Sequence, residues 1–491
     1  MLLAGQGSVR SSANVVAVSN SDVNGLSGLS LAQPVVQSYN ATVPALYQSN
    51  YTSLETTLAS FNASLGAYPA TRNNFAYSAS LVPADGNQGT TLLQANNQNT
   101  VNANLDAYQS MGIKEVEISI PFPILYPTFP NSSQYLSYYT QLVQNVHSRG
   151  MKALVESHVA FVGTGYSNLN YSFKSLPYSQ FVTEDTAQDQ LIINQIKPDY
   201  IDIGTEADTE ASLTRYSQLD TASGWTSYIE QILSSLDKSN SPTKVCAGAG
   251  TWLGVQFMQG FANDPRLDFL TAHIYPIYGN NLQTLVQMAQ IAQQSGKRLV
   301  ISESWSEEVT VPSPPPGTGV GGEFADHQEL WGFSSNIDVP FLSIMARFSS
   351  IYPVEVYNAF SEQYFFAYLN YTPQLDAEDY FTLDGQINQV WAQNMRSLTL
   401  TPTGEEYYLL AHGASGSSST SSTSSTSTTN PTSSSSSKSS TQTATTTTVT
   451  SSKTSSSSST VPEFPNPLLA LVVPLGAAAL LGLRSRPRKQ R

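Results

Sequence analysis

The chain has 491 residues, of which only 12% are charged, and its formal net charge at pH 7 is −14. A negative chain with 22 Lys and Arg residues is a poor nucleic-acid binder, because phosphate contacts need those side chains. The length accommodates one large barrel with appendages, and the single cysteine, Cys246, excludes an internal disulfide. Because the surface carries few charges, protonation of its carboxylates in acid alters the surface charge little. The composition therefore favours a secreted protein of an acidic habitat.

Residues 1–72 are polar and weakly patterned, and we interpret them as an N-terminal extension. Leu54, Leu58 and Leu65 indicate that part of it is helical. An exported protein needs a signal peptide with an apolar core of ~7–15 residues, and residues 1–5 are too short for one. No export signal is evident, and we expect that the start is truncated or falls inside the signal.

Residues 73–412 alternate short apolar runs with segments of helical period. The runs predict eight strands, at 75–81, 114–120, 153–158, 200–206, 245–251, 269–275, 299–305 and 354–360. Between them, Leu136, Tyr139 and Val146 mark an amphipathic helix that stops at Gly150. Such units predict an α/β fold, a (β/α)8 TIM barrel. The alternative, an open doubly wound sheet, usually has a Gly-rich phosphate loop after an early strand, and the sequence shows none.

Residues 413–460 are predicted to form a disordered stalk, because 38 of the 46 residues from Ser415 to Thr460 are Ser or Thr. Residues 461–491 contain an apolar run at 467–483, followed by a tail with five basic residues among eight. We predict a transmembrane helix at 467–483 with a cytoplasmic tail, which places the barrel at the cell surface. Stalk and tail together resemble the C-terminal anchors of archaeal surface proteins.

Reactive residues of such barrels lie at the C-terminal ends of the strands. Glu206 and Glu303 end the fourth and seventh runs, where a carboxylate is seldom needed for folding because a buried charge is costly unless it is paired. Two facing carboxylates suit cleavage of a glycosidic bond, since one donates a proton and the other attacks the sugar carbon. We expect Tyr275 to hold Glu303 ionised. Glu117 and Glu156 lie on strands, and the sequence does not indicate whether their side chains face the interior of the barrel.

These strand ends resemble those of the clan A retaining glycoside hydrolases, the 4/7 barrels. The matching segments are Gly204-Thr-Glu206, where the family usually has Asn-Glu, Ile301-Ser-Glu-Ser-Trp305, His273-Ile-Tyr275-Pro276 and His158. The resemblance covers roughly residues 73–412. It implies an enzyme that hydrolyses O-glycosyl bonds by double displacement, with Glu206 as acid/base and Glu303 as nucleophile. Thr205 replaces the family's Asn that contacts the substrate 2-hydroxyl.

Other side chains on or after the strand ends are expected to bind the sugar, aromatic rings by stacking and polar groups through its hydroxyls. They are His158, Thr205, Trp252, His273, Tyr275, Trp305, Tyr357 and Asn358. Cys246 lies inside a strand and is expected to be inert packing. No tight spacing of His, Cys and carboxylates indicates zinc, so we expect no metal and no cofactor.

Three functions compete. The first is a membrane-tethered, extracellular retaining glycoside hydrolase that cleaves a β-linked polysaccharide of the β-glucan, galactan or mannan type. The second is an inactive barrel that binds surface glycans or belongs to the cell wall, and the third is a metal-dependent hydrolase. A carboxyl separation of ~5–5.5 Å indicates a retaining enzyme and one of ~6.5–9.5 Å an inverting one. The residues leave open the sugar, the linkage, endo or exo action and the oligomeric state.

Overall fold

The computed structural model describes residues 34–413, except 70, 163–168, 170, 276, 278, 308–327 and 379. The predicted membrane segment at 467–483 and the predicted stalk beyond residue 413 lie outside these residues. Within the part described, no helix combines the length and the apolar character that crossing a membrane requires.

Eight parallel strands close into a barrel in chain order, with the first strand pairing with the last. They are β1 (Ala76–Ser80), β2 (Glu115–Ser119), β3 (Lys152–Glu156), β4 (Tyr200–Asp202), β5 (Lys244–Gly250), β6 (Phe269–Ile274), β7 (Leu299–Ser304) and β8 (Val354–Ala359). Each strand lies in or overlaps one of the eight predicted runs. The prediction of a (β/α)8 barrel is therefore confirmed.

Helices cover the outside of the barrel. They are α1 (Gln48–Ser64), α2 (Ala95–Ser110), α3 (Ser132–Ser148), α4 (Tyr178–Leu191), α5 (Ala207–Thr214), α6 (Ala222–Ser235), α7 (Gln256–Gln259), α8 (Asn281–Gln294), α9 (Ser335–Ile351), α10 (Tyr380–Ser397) and α11 (Pro402–Ala411). The apolar stripe of α3, including Tyr139 and Val146, is buried against the strands. The chain leaves α3 at Gly150, whose φ of +73° suits glycine.

The N-terminal segment is part of the outer layer of the barrel. Helix α1 packs on α9 and buries Tyr51, Leu54, Leu58 and Phe61, two of which are leucines singled out in the sequence. The Tyr51 hydroxyl lies 2.9 Å from the Ser334 hydroxyl, just before α9. In addition, the two-residue strand Val35–Val36 pairs in parallel with Thr399–Leu400. These contacts attach the segments that precede and follow the barrel strands to the barrel itself.

The interior of the barrel changes from apolar to polar along its axis. Leu154, Tyr200, Cys246, Val300 and Val356 form one buried cluster between the strands. Cys246 is fully buried there, in agreement with the packing role expected for it. Nearer the C-terminal ends the inward positions carry polar side chains instead. Burial of polar groups costs free energy, so their concentration at this end of the barrel indicates that a functional site lies there.

One buried carboxyl lies at the opposite end of the barrel. Glu115, the first residue of β2, is fully buried, and neither of its carboxylate oxygens has a hydrogen-bond partner among the described residues. Burial raises its pKa well above the ordinary value, and the carboxylates of Asp199 and Glu355 add to this effect, whereas the Lys152 ammonium opposes it. The environment of Glu115 in the folded protein therefore favours its neutral acid form.

This burial predicts a pH-dependent stability. Because the folded-state pKa of Glu115 lies above the unfolded one, its contribution is fully present below the unfolded pKa, about 4.5 for such a group, and is lost as the pH rises through the folded pKa. The substitution Glu115→Gln should raise the free energy of unfolding at pH 8 by about 1.4 kcal/mol or more, the equivalent of one pKa unit, and should change it little at pH 4. Urea denaturation at the two pH values measures this. Equal effects at both would contradict a neutral buried Glu115.

Candidate active site

The chain turns sharply between β4 and Glu206. The turn lies at Gly204, whose φ of +152° is rare for residues with a side chain. A Cβ there would lie 2.8 Å from the Trp225 ring, so a larger residue would displace the indole. Glu206 follows directly and precedes α5, and its Oε2 accepts a 2.6 Å hydrogen bond from the Thr209 hydroxyl. Turn and helix together hold the Glu206 carboxyl at the barrel mouth.

Glu303 is directed inward by an irregularity between β6 and β7. The register of this ladder shifts after Ala272, so that His273 pairs with Glu303 and Ser302 has no opposite partner. A bulge of this kind redirects the side chain that follows it. The Ser302 hydroxyl also faces the barrel axis, 3.3 Å from Asp202 Oδ2. Two consecutive side chains of β7 therefore reach the interior, which simple alternation along a strand does not allow.

The two candidate carboxyls face each other. One carboxylate oxygen of Glu206, one of Glu303 and Nδ1 of His273 all lie within 4.8 Å of one another. The Tyr275 hydroxyl donates a short hydrogen bond to Glu303 Oε2 and lies 3.2 Å from Glu206 Oε1. Both carboxyls are buried, with 7% exposure for Glu206 and 6% for Glu303. The pair is thus close enough to act on one bond from two sides.

His273 links three carboxyls. Its Nε2 lies 3.0 Å from Glu156 Oε1, and its Nδ1 lies 3.0 Å from Glu206 Oε1 and 3.3 Å from Glu303 Oε2. Burial lowers the pKa of His273, but the carboxylates of Glu303 and Glu156, with hydrogen bonds to Glu156 and Glu206, outweigh burial and raise it well above its ordinary value. This environment favours the imidazolium form of His273, in which both nitrogens donate.

The imidazolium distributes charge unequally among its neighbours. Burial raises the pKa of Glu156, but His273, which donates to it, outweighs burial and leaves the pKa below its ordinary value. For Glu303 burial prevails, and its pKa is raised well above the ordinary value with the help of the Glu156 and Glu206 carboxyls, although His273 and Tyr275 oppose this. The carboxylate form is therefore favoured at Glu156, whereas the protonated form is favoured at Glu303, the carboxyl that faces Glu206.

These groups line one cavity of about 50 Å³ at the C-terminal end of the barrel. Its walls are formed by Ser80, Leu81, Val82, Asp85, Glu117, Ser119, Glu156, Ser157, His158, Phe161, Asp202, Gly204, Thr205, Glu206, Thr209, Glu210, His273, Glu303 and Phe360. Five residues predicted from the sequence are therefore brought together, namely His158, Thr205, Glu206, His273 and Glu303.

Two further predicted residues stand beside the cavity. Tyr275 touches both candidate carboxyls, as described above. Trp252 stacks on the Tyr275 ring at 5.5 Å between centroids, and its indole nitrogen donates a 3.0 Å hydrogen bond to Asp208. Trp252 is only partly buried, so its face is placed to extend the site outward.

Two of the predicted polar residues are already engaged in hydrogen bonds. The Thr205 hydroxyl donates to Asp202 at 2.5 Å and lies 2.7 Å from the Thr271 hydroxyl. The Asn358 amide donates to the Ser80 hydroxyl at 2.9 Å and to the Ser302 carbonyl at 2.6 Å. Asn358 is fully buried and is not among the residues that line the cavity, so its contact with substrate stays a prediction. It cross-links β8, β1 and β7 beneath the site.

Two aromatic residues lie outside the site. Tyr357 is fully buried on the outer face of β8, against Tyr407 of α11. Trp305 is 1% exposed and packs on Tyr364 and on Phe341 of α9. Neither Tyr357 nor Trp305 is among the described residues that line the cavity, and their contact with sugar stays a prediction. Position at a strand end did not determine which side of the barrel wall each side chain faces.

The structure adds carboxyls that the strand-end argument missed. Asp85, Asp202 and Glu210 line the cavity, together with Glu117 and Glu156, whose facing was uncertain. Asp202, the last residue of β4, could have been predicted from the sequence. Residues 202, 204 and 206 are each two apart, so strand alternation would place Asp202 on the same side as Glu206. Asp85 lies in the segment after β1 and Glu210 in α5, where the apolar pattern of the strands gives no indication.

Two sets of side chains have a spacing that a metal ion can use. They are Glu156, Asp202 and His273, and Glu206, His273 and Glu303, with the ligand atoms of each set within 4.8 Å of one another. Both sets depend on His273. In the described residues both nitrogens of His273 lie within hydrogen-bond distance of carboxyl oxygens, so the atoms that could bind an ion also make contacts suited to proton sharing.

No protein-family model and no curated protein sequence matches this chain. Similar solved structures include an exo-β-1,4-mannosidase from Opitutaceae bacterium strain TAV5, with 13% identity, a TM-score of 0.42 and coverage of 71% of this chain and 61% of the mannosidase. A GH30 endoxylanase from Clostridium papyrosolvens has 13% identity and a TM-score of 0.37, with 71% and 73% covered. A GH5_18 protein from Bifidobacterium longum subsp. infantis has 10% identity and a TM-score of 0.42, with 70% and 79% covered. Similarity at this level assigns no activity, so function rests on the side chains.

The charge of His273 can be measured directly. We expect its two ring nitrogens to be protonated at pH 7.5, because carboxylates face both of them. The substitution Glu156→Gln should lower the pKa of His273 by about one unit or more, since it removes a charge-assisted hydrogen bond. Imidazole ¹⁵N chemical shifts across a pH titration measure this, with Glu115→Gln as the control at the other end of the barrel. A neutral His273 at pH 7 would refute the charge assignment.

Proposed function

We propose that this protein is a retaining glycoside hydrolase, with Glu206 as the acid/base and Glu303 as the nucleophile. The observation that carries the proposal is the opposition of these two buried carboxyls, whose nearest ligand atoms lie within 4.8 Å at the ends of β4 and β7. Retaining enzymes place their carboxyls ~5–5.5 Å apart, whereas inverting enzymes need ~6.5–9.5 Å to admit a water molecule. A barrel that merely binds glycans has no need of this opposition.

In the first step, a carboxylate oxygen of Glu303 attacks the anomeric carbon. The bond from that carbon to the leaving oxygen breaks, and the proton of Glu206 passes to the leaving oxygen. Glu303 must be ionised for this attack although burial raises its pKa, and the His273 imidazole and the Tyr275 hydroxyl, which donates to Glu303, favour its carboxylate form. The first step therefore begins with one proton on the pair and ends with Glu206 ionised and Glu303 esterified.

In the second step, Glu206 acts as a base. It takes a proton from water while the water oxygen attacks the anomeric carbon, and the ester bond to Glu303 breaks. Nδ1 of His273 lies 3.0 Å from Glu206 and 3.3 Å from Glu303, so the imidazolium can favour whichever carboxyl is ionised. The negative charge thus moves between the two carboxyls without losing its cationic partner, which limits the reorganisation that the reaction requires.

The substrate that we propose is a β-linked polysaccharide outside the cell. The predicted stalk and the apolar run at 467–483, followed by basic residues, support a surface location with the barrel outside. Polymers do not cross a membrane, so a tethered hydrolase would meet them at the surface. Full-length protein should fractionate with membranes and be released by detergent but not by high salt, and a chain that ends at residue 466 should be soluble. Salt release of the full chain would refute the tether.

The catalytic assignment predicts different losses for the two glutamates. Glu303→Gln should reduce hydrolysis of aryl β-glycosides and of polysaccharides by about 10³-fold or more, because no nucleophile remains. Glu206→Gln should reduce polysaccharide hydrolysis by about 10²–10⁴-fold but should spare glycosylation by dinitrophenyl glycosides, whose leaving group needs no proton. Burst kinetics and steady-state rates measure both effects, and NMR of the first product should show retained anomeric configuration.

A matched control is Glu230→Gln, a carboxyl-to-amide change on the exposed face of α6, which should leave all rates unchanged. Equal losses on both substrate types for Glu206→Gln would argue against its acid role. An inverted first product would refute double displacement.

A further inference from the structure

The cavity contains more carboxyls than the proposed mechanism uses. Seven line it, namely Asp85, Glu117, Glu156, Asp202, Glu206, Glu210 and Glu303. Two do the chemistry, and Glu156 is neutralised by His273. Among the described residues that line the cavity there is no Lys and no Arg. The other imidazole, His158, does not balance the charge, because burial lowers its pKa and keeps it neutral.

Two of the remaining carboxyls lack a partner for one oxygen. Glu117 is 3% exposed, and its Oε1 has no hydrogen-bond partner among the described residues. Glu210 is also 3% exposed; its Oε1 accepts a 3.0 Å hydrogen bond from the Val159 amide, but its Oε2 accepts none from the described residues. A buried acceptor without a donor costs free energy, so a ligand that supplies donors would be favoured here.

A third carboxyl is held rigidly toward the cavity. Asp85 Oδ1 lies 2.7 Å from the Asn87 backbone amide, 3.0 Å from its side-chain amide and 3.4 Å from the Ser119 hydroxyl. These donors orient the Asp85 carboxyl, whose pKa is raised by burial, while the nearby His158 imidazole and the Asn87 and Ser119 donors oppose that rise. Asp85 follows β1 and Glu117 lies on the adjacent strand β2, so the two form one acidic wall of the cavity.

We propose that this acidic wall, Asp85 and Glu117, binds the protonated amine of an amino sugar held in the reactive position. The inference rests on the proposed glycosidase function and specifies its substrate class. Hexosamines carry the amine on C2, beside the anomeric carbon that Glu303 attacks. Burial and the nearby Glu156 and Glu303 carboxylates raise the pKa of Glu117, and an ammonium group bound beside Glu117 would lower that pKa and favour its carboxylate form. An ammonium group supplies both the charge and the donors that the wall lacks, which neutral hydroxyls supply only in part.

Wild-type selectivity is the first test. At pH 5, where a sugar amine is protonated, kcat/KM for 4-nitrophenyl β-glycosides of glucosamine or galactosamine should exceed that for the matching glucoside or galactoside by about tenfold or more. The β-glucuronide should be the poorest substrate, since its carboxylate meets other carboxylates. Preference for the neutral glycosides, with activity lost in Glu303→Gln, would overturn the amino-sugar inference and leave the glycosidase proposal standing.

Two variants localise the effect. Glu117→Gln and, separately, Asp85→Asn should each reduce the amino-to-neutral ratio of kcat/KM by about tenfold, because each removes one charge facing the amine. Glu115→Gln is the matched control, a buried glutamate two residues earlier on β2 that does not line the cavity, and its ratio should equal that of the wild type. Ratios that stay unchanged in folded Glu117→Gln and Asp85→Asn would refute the wall as the binding site.

A binding measurement separates the two proposals. Wild-type protein should be stabilised against thermal unfolding by glucosamine or galactosamine more than by equal concentrations of glucose or galactose. Such stabilisation without hydrolysis of any glycoside would support the cation-binding acidic wall and contradict the enzymatic function. Equal stabilisation by amino and neutral sugars would overturn the cation-binding acidic wall even if the acidic-wall variants fail to fold.

Discussion

Electrostatic repulsion between buried carboxyls is the constraint around which this site is built, and His273 relieves it. Like charges in a low-dielectric cavity do not all ionise, so their neighbours decide which do. His273 lies 3.0 Å from both Glu156 and Glu206 and 3.3 Å from Glu303. Because it carries a positive charge, one carboxylate stays ionised beside it, and the facing pair is left to share a proton. That division between a fixed anion and a proton-sharing pair is what acid/base and nucleophilic chemistry requires.

The barrel supplies the rigidity on which this balance depends. Its lower interior contains an apolar cluster and the single carboxyl of Glu115, whereas most buried polar side chains lie above it near the strand ends, where they cross-link the strands. Two local departures from regular structure orient the Glu206 and Glu303 carboxyls. They are the turn at Gly204 and the bulge at Ser302. Groups fixed in this way need little rearrangement during a reaction, which is why strand ends favour catalysis over mobile loops.

Predictions that depend only on a short segment, such as the strands, agree with the structure. Predictions that depend on which way a side chain faces do not all agree with it. Eight apolar runs predicted eight strands because hydrophobic runs of that length are buried whatever their neighbours. The strand-end rule found Glu206, His273 and Glu303, but it also selected Tyr357 and Trp305, which pack against helices instead. Nothing in the local pattern reveals which way the last residue of a strand faces, since one bulge reverses the alternation.

The sequence by itself determined the barrel, the order of its strands and the presence of carboxyls at the ends of β4 and β7, because periodicity and strand ends are properties of short segments. Only the tertiary structure decided which carboxyls meet and which of them ionise. Glu156 and His273 are 117 residues apart in the chain, and Glu206 and His273 are 67 apart. Their pKa values depend on burial and on distances of a few ångströms, and closure of the barrel sets both.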